Sequence, residues 1–118
     1  MINAAKPTPL ELLNAISQAG AKTYMEHRAA IMDDPRFQAL PFKTKLLVGI
    51  GVAAALQSST CTLMWTKLAK EEGASEDEIV EVILMSRLMK MATVNDTAAE
   101  AIAWLKETAT SPKGEQDR

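Results

Sequence analysis

Apolar residues recur along this chain at steps of three and four rather than two, the spacing of one face of an α-helix. In the N-terminal third they fall at Leu12, Leu13, Ile16, Ala19, Tyr24 and Ile31. That segment opens on Thr8-Pro9-Leu10-Glu11, a capping box with proline at the first helical position. Gly20 weakens its middle, and Asp33-Asp34-Pro35 stops it. A second helix is predicted from about Phe42 to Gln57; from Leu46 onward it is apolar nearly all round, the mark of the most buried element. Ser58-Ser59-Thr60 then supplies hydroxyls that favour a helix start over a helix interior. A third helix runs from about Thr60 to Glu72, closed by Gly73 as a left-handed cap. Ser75-Glu76-Asp77-Glu78 is a second capping box and opens a fourth helix that reaches Lys90, with Ile79, Val82, Ile83, Ser86 and Met89 or Lys90 as its stripe. Thr97 and Glu100 form a third box, so a fifth helix is expected from Asp96 or Thr97, through Ala101, Ile102, Trp104 and Leu105, to Thr108. No stretch alternates as a strand does, and there is no internal repeat. The pattern predicts one all-α domain over residues 1–109 with short connections between antiparallel neighbours, and a polar, disordered tail over 110–118.

Composition narrows the possible functions. Apolar residues are 47% of the 118, enough for a hydrophobic core, and 24% are charged. Thirteen basic against fifteen acidic side chains leave a formal charge of −2, too balanced for a nucleic-acid surface or an anionic membrane partner. Aromatic residues at 4% also argue against recognition of single strands by stacking. The single cysteine excludes an intrachain disulfide and fits a reducing cytoplasm. No secretory signal is visible before Pro9, and the longest apolar run, Leu46 to Leu56, is too short to span a bilayer. A soluble, cytoplasmic chain is therefore expected. One cysteine and one histidine far apart give no metal-ligand set, and neither a phosphate loop nor a Ser-His-Asp arrangement is present as a motif, so no cofactor is expected.

Residues Lys43 to Glu81 are the most informative. The run Lys43-Thr44-Lys45-Leu46-Leu47-Val48-Gly49-Ile50-Gly51-Val52-Ala53-Ala54-Ala55-Leu56 is followed by a polar turn with a cysteine and a helix closed by Glu72-Gly73-Ala74-Ser75. The continuation Glu76-Asp77-Glu78-Ile79-Val80-Glu81-Val82 completes the pattern. This segment resembles the alkylhydroperoxidase D and carboxymuconolactone decarboxylase family. The resemblance implies a small helical fold of five to six helices around a central antiparallel helix hairpin. It also implies a homo-oligomer, trimeric or hexameric. The near-continuous apolar stretches on two helices point independently toward association.

In the redox-active branch of that family a C-x-x-C pair opens the third helix, a histidine follows the second cysteine by four residues, and a glutamate precedes the first by twelve. A helix N-terminus favours the thiolate, the second thiol resolves the oxidised first one, and histidine and glutamate relay the proton. Carried onto this chain, the second cysteine is Cys61, the first is Ser58, the histidine is Trp65 and the glutamate is Leu46. Ser58 forms no disulfide, and Leu46 and Trp65 carry no proton, so the Cys-pair peroxidase mechanism is expected to be lost. The decarboxylase branch commonly keeps a histidine where Trp65 stands.

Several positions admit two readings. Cys61 is either a single reactive thiol, acting as a one-cysteine peroxidase with an external thiol reductant, or a small buried apolar residue left from an ancestral pair. Met64, Trp65, Leu68, Met85, Met89 and Met91 either fill a core or line an adaptable pocket for a small apolar ligand. Lys67, Arg87 and Lys90 are rim charges of such a pocket or ordinary solvated residues. His27, beside Glu26 and Arg28, is a surface histidine or a group reaching a pocket. The functions carried forward are a binding or accessory oligomer, a one-cysteine peroxidase, and a decarboxylase-type activity on a small carboxylate.

Overall fold

The computed structural model describes residues 6–109, and the proposed tail over 110–118 lies outside the described residues. Five α-helices follow in order: α1 (Pro9–Ile16), α2 (Gln18–Asp33), α3 (Phe42–Ala55), α4 (Ser59–Glu71) and α5 (Glu76–Ala109), with a 3₁₀ turn at Pro35–Phe37 between α2 and α3. There is no strand among the described residues. The chain divides into two compact units whose boundary falls within α3, between Lys45 and Leu46.

In the first unit the Thr8 box forms as expected: the Glu11 N–H donates to the Thr8 hydroxyl at 3.1 Å and the Thr8 N–H to the Glu11 carboxylate at 3.0 Å. The predicted single first helix is instead two. The weak point is Ser17 rather than Gly20: Ser17 adopts extended backbone, donates its N–H to Leu13 at 2.7 Å and accepts the Gly20 N–H on its hydroxyl at 2.9 Å. A serine that closes one helix and caps the next outcompetes continuation, because its side chain satisfies an N–H that the new helix would leave open. α2 ends where Asp34 caps the 3₁₀ turn, accepting from the Arg36 N–H at 2.9 Å and from its guanidinium at 3.1 and 2.9 Å. Lys45, in the first turn of α3, donates its ammonium to the carbonyls of Ile31 at 2.6 Å and of Phe37. A cation at the C-terminal turn of α2 satisfies carbonyls with no helical partner. Ala21 and Met32 are the buried side chains of α2.

The second unit is built on α3, whose Leu46 and Ile50 are the largest fully buried side chains among the described residues. This matches the expectation that the all-round apolar helix carries the most deeply buried side chains. α3 ends in a left-handed residue, Gln57 (φ 64°), with Ser58 N–H donating to Ala53 at 2.9 Å and Gln57 N–H to Ala54 at 3.1 Å. α4 ends the same way at Gly73 (φ 89°), with Ala74 N–H on Ala69 at 2.9 Å and Gly73 N–H on Lys70 at 3.0 Å. The 6→1 and 5→2 pair of bonds is one device used twice, once with the residue that suits it and once with a glutamine. The Ser75 box also forms, with Glu78 N–H on Ser75 at 3.0 Å and Ser75 N–H on Glu78 at 2.8 Å.

The expected boundary between a fourth and a fifth helix does not exist. α5 is continuous for 34 residues, roughly 51 Å, and the Thr97–Glu100 cap signal lies inside it. No glycine or proline interrupts Met91 to Thr97, and Ala92, Ala98, Ala99, Ala101 and Ala103 supply strong helix formers on both sides. A cap residue cannot stop a helix that nothing breaks. The inner side of α5 carries buried Ile79 and half-buried Val82 and Ser86. The Ser86 hydroxyl donates to the Gly51 carbonyl of α3 at 2.7 Å, and a Cβ on Gly51 would lie 3.1 Å from Val82, so these helices approach closely there.

Two expectations follow. Gln57→Gly removes the left-handed penalty at the α3 terminus and should raise unfolding stability by roughly 0.5–1 kcal/mol in urea melts. The Arg36 guanidinium and N–H hold the Asp34 carboxyl below its ordinary value of 3.8. Its contribution is therefore complete above that value and lost as pH falls through the lower folded value. The stability deficit of Asp34→Asn at pH 7 should shrink toward zero below about pH 4, read by thermal melts across pH.

Candidate functional site

The residues aligned with the redox motif all belong to α3, α4 and the turn between them. Ser58 is the N-cap of α4, and its hydroxyl accepts the Cys61 N–H at 3.2 Å. The position of the first cysteine thus carries a capping group, and one of the N–H groups that could face an anion is already occupied. Cys61 follows in the first turn, half-buried and unpaired as a thiol. Trp65 lies one turn further on the same side of α4 and is half-buried.

Trp65 explains a glycine that the sequence pattern left without a role. A Cβ built on Gly49 would stand 2.5 Å from Cε3 and 2.9 Å from Cζ3 of the indole. The six-membered ring therefore lies directly on the α3 backbone, in space only a glycine leaves open. Leu46 is one turn before Gly49 on the same side of α3 and is 1% exposed. The two positions that would carry a proton relay hold instead a buried leucine and an indole packed on bare backbone. The signal available in sequence was Gly49 itself, a glycine inside an otherwise strong helix.

Beside the cap opens a groove of about 460 Å³ lined by Ala54, Gln57, Ser58, Ser59, Thr62, Leu63 and Thr66. Both threonine hydroxyls are committed to the backbone: Thr62 donates to the Ser58 carbonyl and Thr66 to the Thr62 carbonyl, each at 2.7 Å. No carboxylate, histidine or lysine is among its lining residues. The groove offers polar contacts but no group that moves a proton at neutral pH. Met64, Met85 and Met89 are exposed and Leu68 is half-buried; none of the four lines this groove. Lys67, Arg87 and Lys90 are exposed as well. His27 is exposed on α2, in the first unit. Among the described residues no group of three or more His, Cys, Asp or Glu side chains could hold a metal ion, and no helix is long and apolar enough to cross a membrane.

The indole–glycine contact makes a clear demand on mutants. Gly49→Ala gains helix propensity of about 1 kcal/mol but drives a methyl into the ring, an overpacking cost of roughly 1–3 kcal/mol. The net effect should be destabilising. In a Trp65→Leu background the same Gly49→Ala change should become neutral or stabilising, and a double-mutant cycle by urea denaturation measures that coupling.

No curated protein and no solved structure matches this chain significantly. A family model does match, that of the carboxymuconolactone decarboxylase family, over residues 18–107, which takes in α2 through nearly all of α5. With that match over most of its length and an all-helical fold among the described residues, the chain belongs to the carboxymuconolactone decarboxylase family.

Proposed function

We propose that this protein is a family member without Cys-pair peroxidase chemistry, acting as a binding or accessory homo-oligomer. The observation that carries this reading is the structural use of every position aligned with the redox motif except Cys61. Ser58 caps α4, Leu46 fills the core and Trp65 covers Gly49. Restoring a proton relay there means removing a packing contact, not merely exchanging a side chain.

Association is supported by the balance of burial. Among the described residues seven hydrophobic side chains are buried, and three of these are alanines. Large apolar residues such as Val52, Leu56, Leu88, Met91, Ile102 and Trp104 are half-exposed or more. So small a core with so much apolar surface fits a subunit that completes its burial against other copies.

A second reading rests on Cys61 alone. Its thiol is half-buried in the first turn of α4, within reach of solvent. Attack on a peroxide would give a cysteine sulfenic acid and an alcohol, or water from hydrogen peroxide; two equivalents of an external thiol would then return the free thiol, leaving as their disulfide with release of water. The full chain mixed with hydrogen peroxide or an organic hydroperoxide and excess dithiothreitol separates the two. The accessory reading expects consumption no faster than Cys61→Ser, and unchanged mass and helicity in that variant. Turnover that vanishes in Cys61→Ser would establish the one-cysteine enzyme.

A further inference from the structure

The distal half of α5 carries a feature that neither the core nor the α3–α4 turn uses. Ile79, Val82 and Ser86 mark the inner side of this helix. Further along that side stand Thr93, Glu100 and Glu107, all exposed, so the inward packing ends near Ser86. From Arg87 to Ala109 every residue is exposed except Ala98 and Thr108, which are intermediate.

On the opposite side, Leu84, Leu88, Met91, Asn95, Ala98, Ile102 and Leu105 follow one another at alternating steps of four and three. The five large apolar members are 41–58% exposed. A strict seven-residue repeat is the seam of a left-handed coiled coil, here about three heptads or roughly 32 Å long. We infer that the distal half of α5 pairs in parallel with the same segment of a second copy of this chain, with Asn95 facing Asn95 across the seam. The inference rests on the oligomeric reading above and assigns its surface.

A second copy is the occupant the chemistry selects. It brings the same repeat, so knobs and holes match along the whole seam. Small residues flank the seam at Ala92, Ala99 and Ala101, leaving room for the two helices to approach. With Met85 and Val94 at the edges, the apolar side chains offer on the order of 1,000 Å² over two copies, near the lower end for a stable interface. A lipid surface fits poorly, since the far side carries Asp96, Glu100 and Glu107 against the single cation Lys90 and is acidic rather than cationic. Asn95 sets the register. In a parallel pair the two amides meet and use each other's donor and acceptor, whereas an antiparallel pair would bury each against Met91 or Ala98 without a partner.

The test uses the full chain in a Cys61→Ser background, where no native thiol remains. Ala98→Cys, on the seam, should form a disulfide-linked dimer under mild oxidation, and Ala103→Cys, outside it, should not. Ile102→Glu should lower the light-scattering mass at micromolar concentration at least twofold. If the parent chain associates but Ile102→Glu keeps its mass and the two cysteine variants cross-link alike, the seam is wrong and the oligomeric reading stands. Dissociation by Ile102→Glu without cross-linking at Ala98→Cys would overturn the parallel register. A monomeric parent chain would remove both readings.

Discussion

The contact on which the second unit depends is an aromatic ring lying on a backbone. Trp65 reaches α3 at Gly49 because that residue has no Cβ, and the distance a Cβ would leave, 2.5 Å, admits no alternative packing without movement of the ring. Leu46, one turn away, completes the apolar surface, and Ile50 beside it is fully buried. The α3–α4 hairpin thus closes through dispersion and burial at the place where the redox-active relatives are expected to keep ionisable groups.

That substitution has a chemical consequence. A relay of carboxylate, imidazole and thiolate needs polar side chains held in partly solvated contact, and such groups would be costly beside a buried leucine unless paired. Here the Ser58 hydroxyl serves as a helix cap, accepting the Cys61 N–H. In the groove next to it the Thr62 and Thr66 hydroxyls are already engaged with carbonyls. Ser58, Leu46 and Trp65 each do structural work here, as helix cap, core residue and cover of Gly49.

Outside the hairpin the balance reverses. The first unit is held by caps and by Lys45 closing carbonyls of Ile31 and Phe37, with only Ala21 and Met32 buried on α2. α5 leaves most of its apolar side chains uncovered after Ser86. Hydrogen bonds of this kind position a helix but add little net stability each, typically about 1 kcal/mol.

Much of the local structure was legible in the amino-acid sequence. The caps at Thr8 and Ser75 and the stop at Gly73 form as read, because each is a bond between residues three to five apart and depends on little else. The all-helical class and the deep burial of Leu46 and Ile50 on α3 follow from periodicity, and the family from the run between Lys43 and Glu81. Three features were decided only in the folded chain. The helix breaks at Ser17 rather than weakening at Gly20, because Ser17 closes one helix and its hydroxyl caps the next, a role that a serine within a helical pattern does not announce. α5 runs through the Thr97 box, because a cap signal acts only where a helix already has reason to end. The role of Gly49 depends on Trp65, sixteen positions away on another helix. Periodicity names the residues that prefer to be buried; which neighbour each one meets is a property of tertiary distance, which local sequence does not encode.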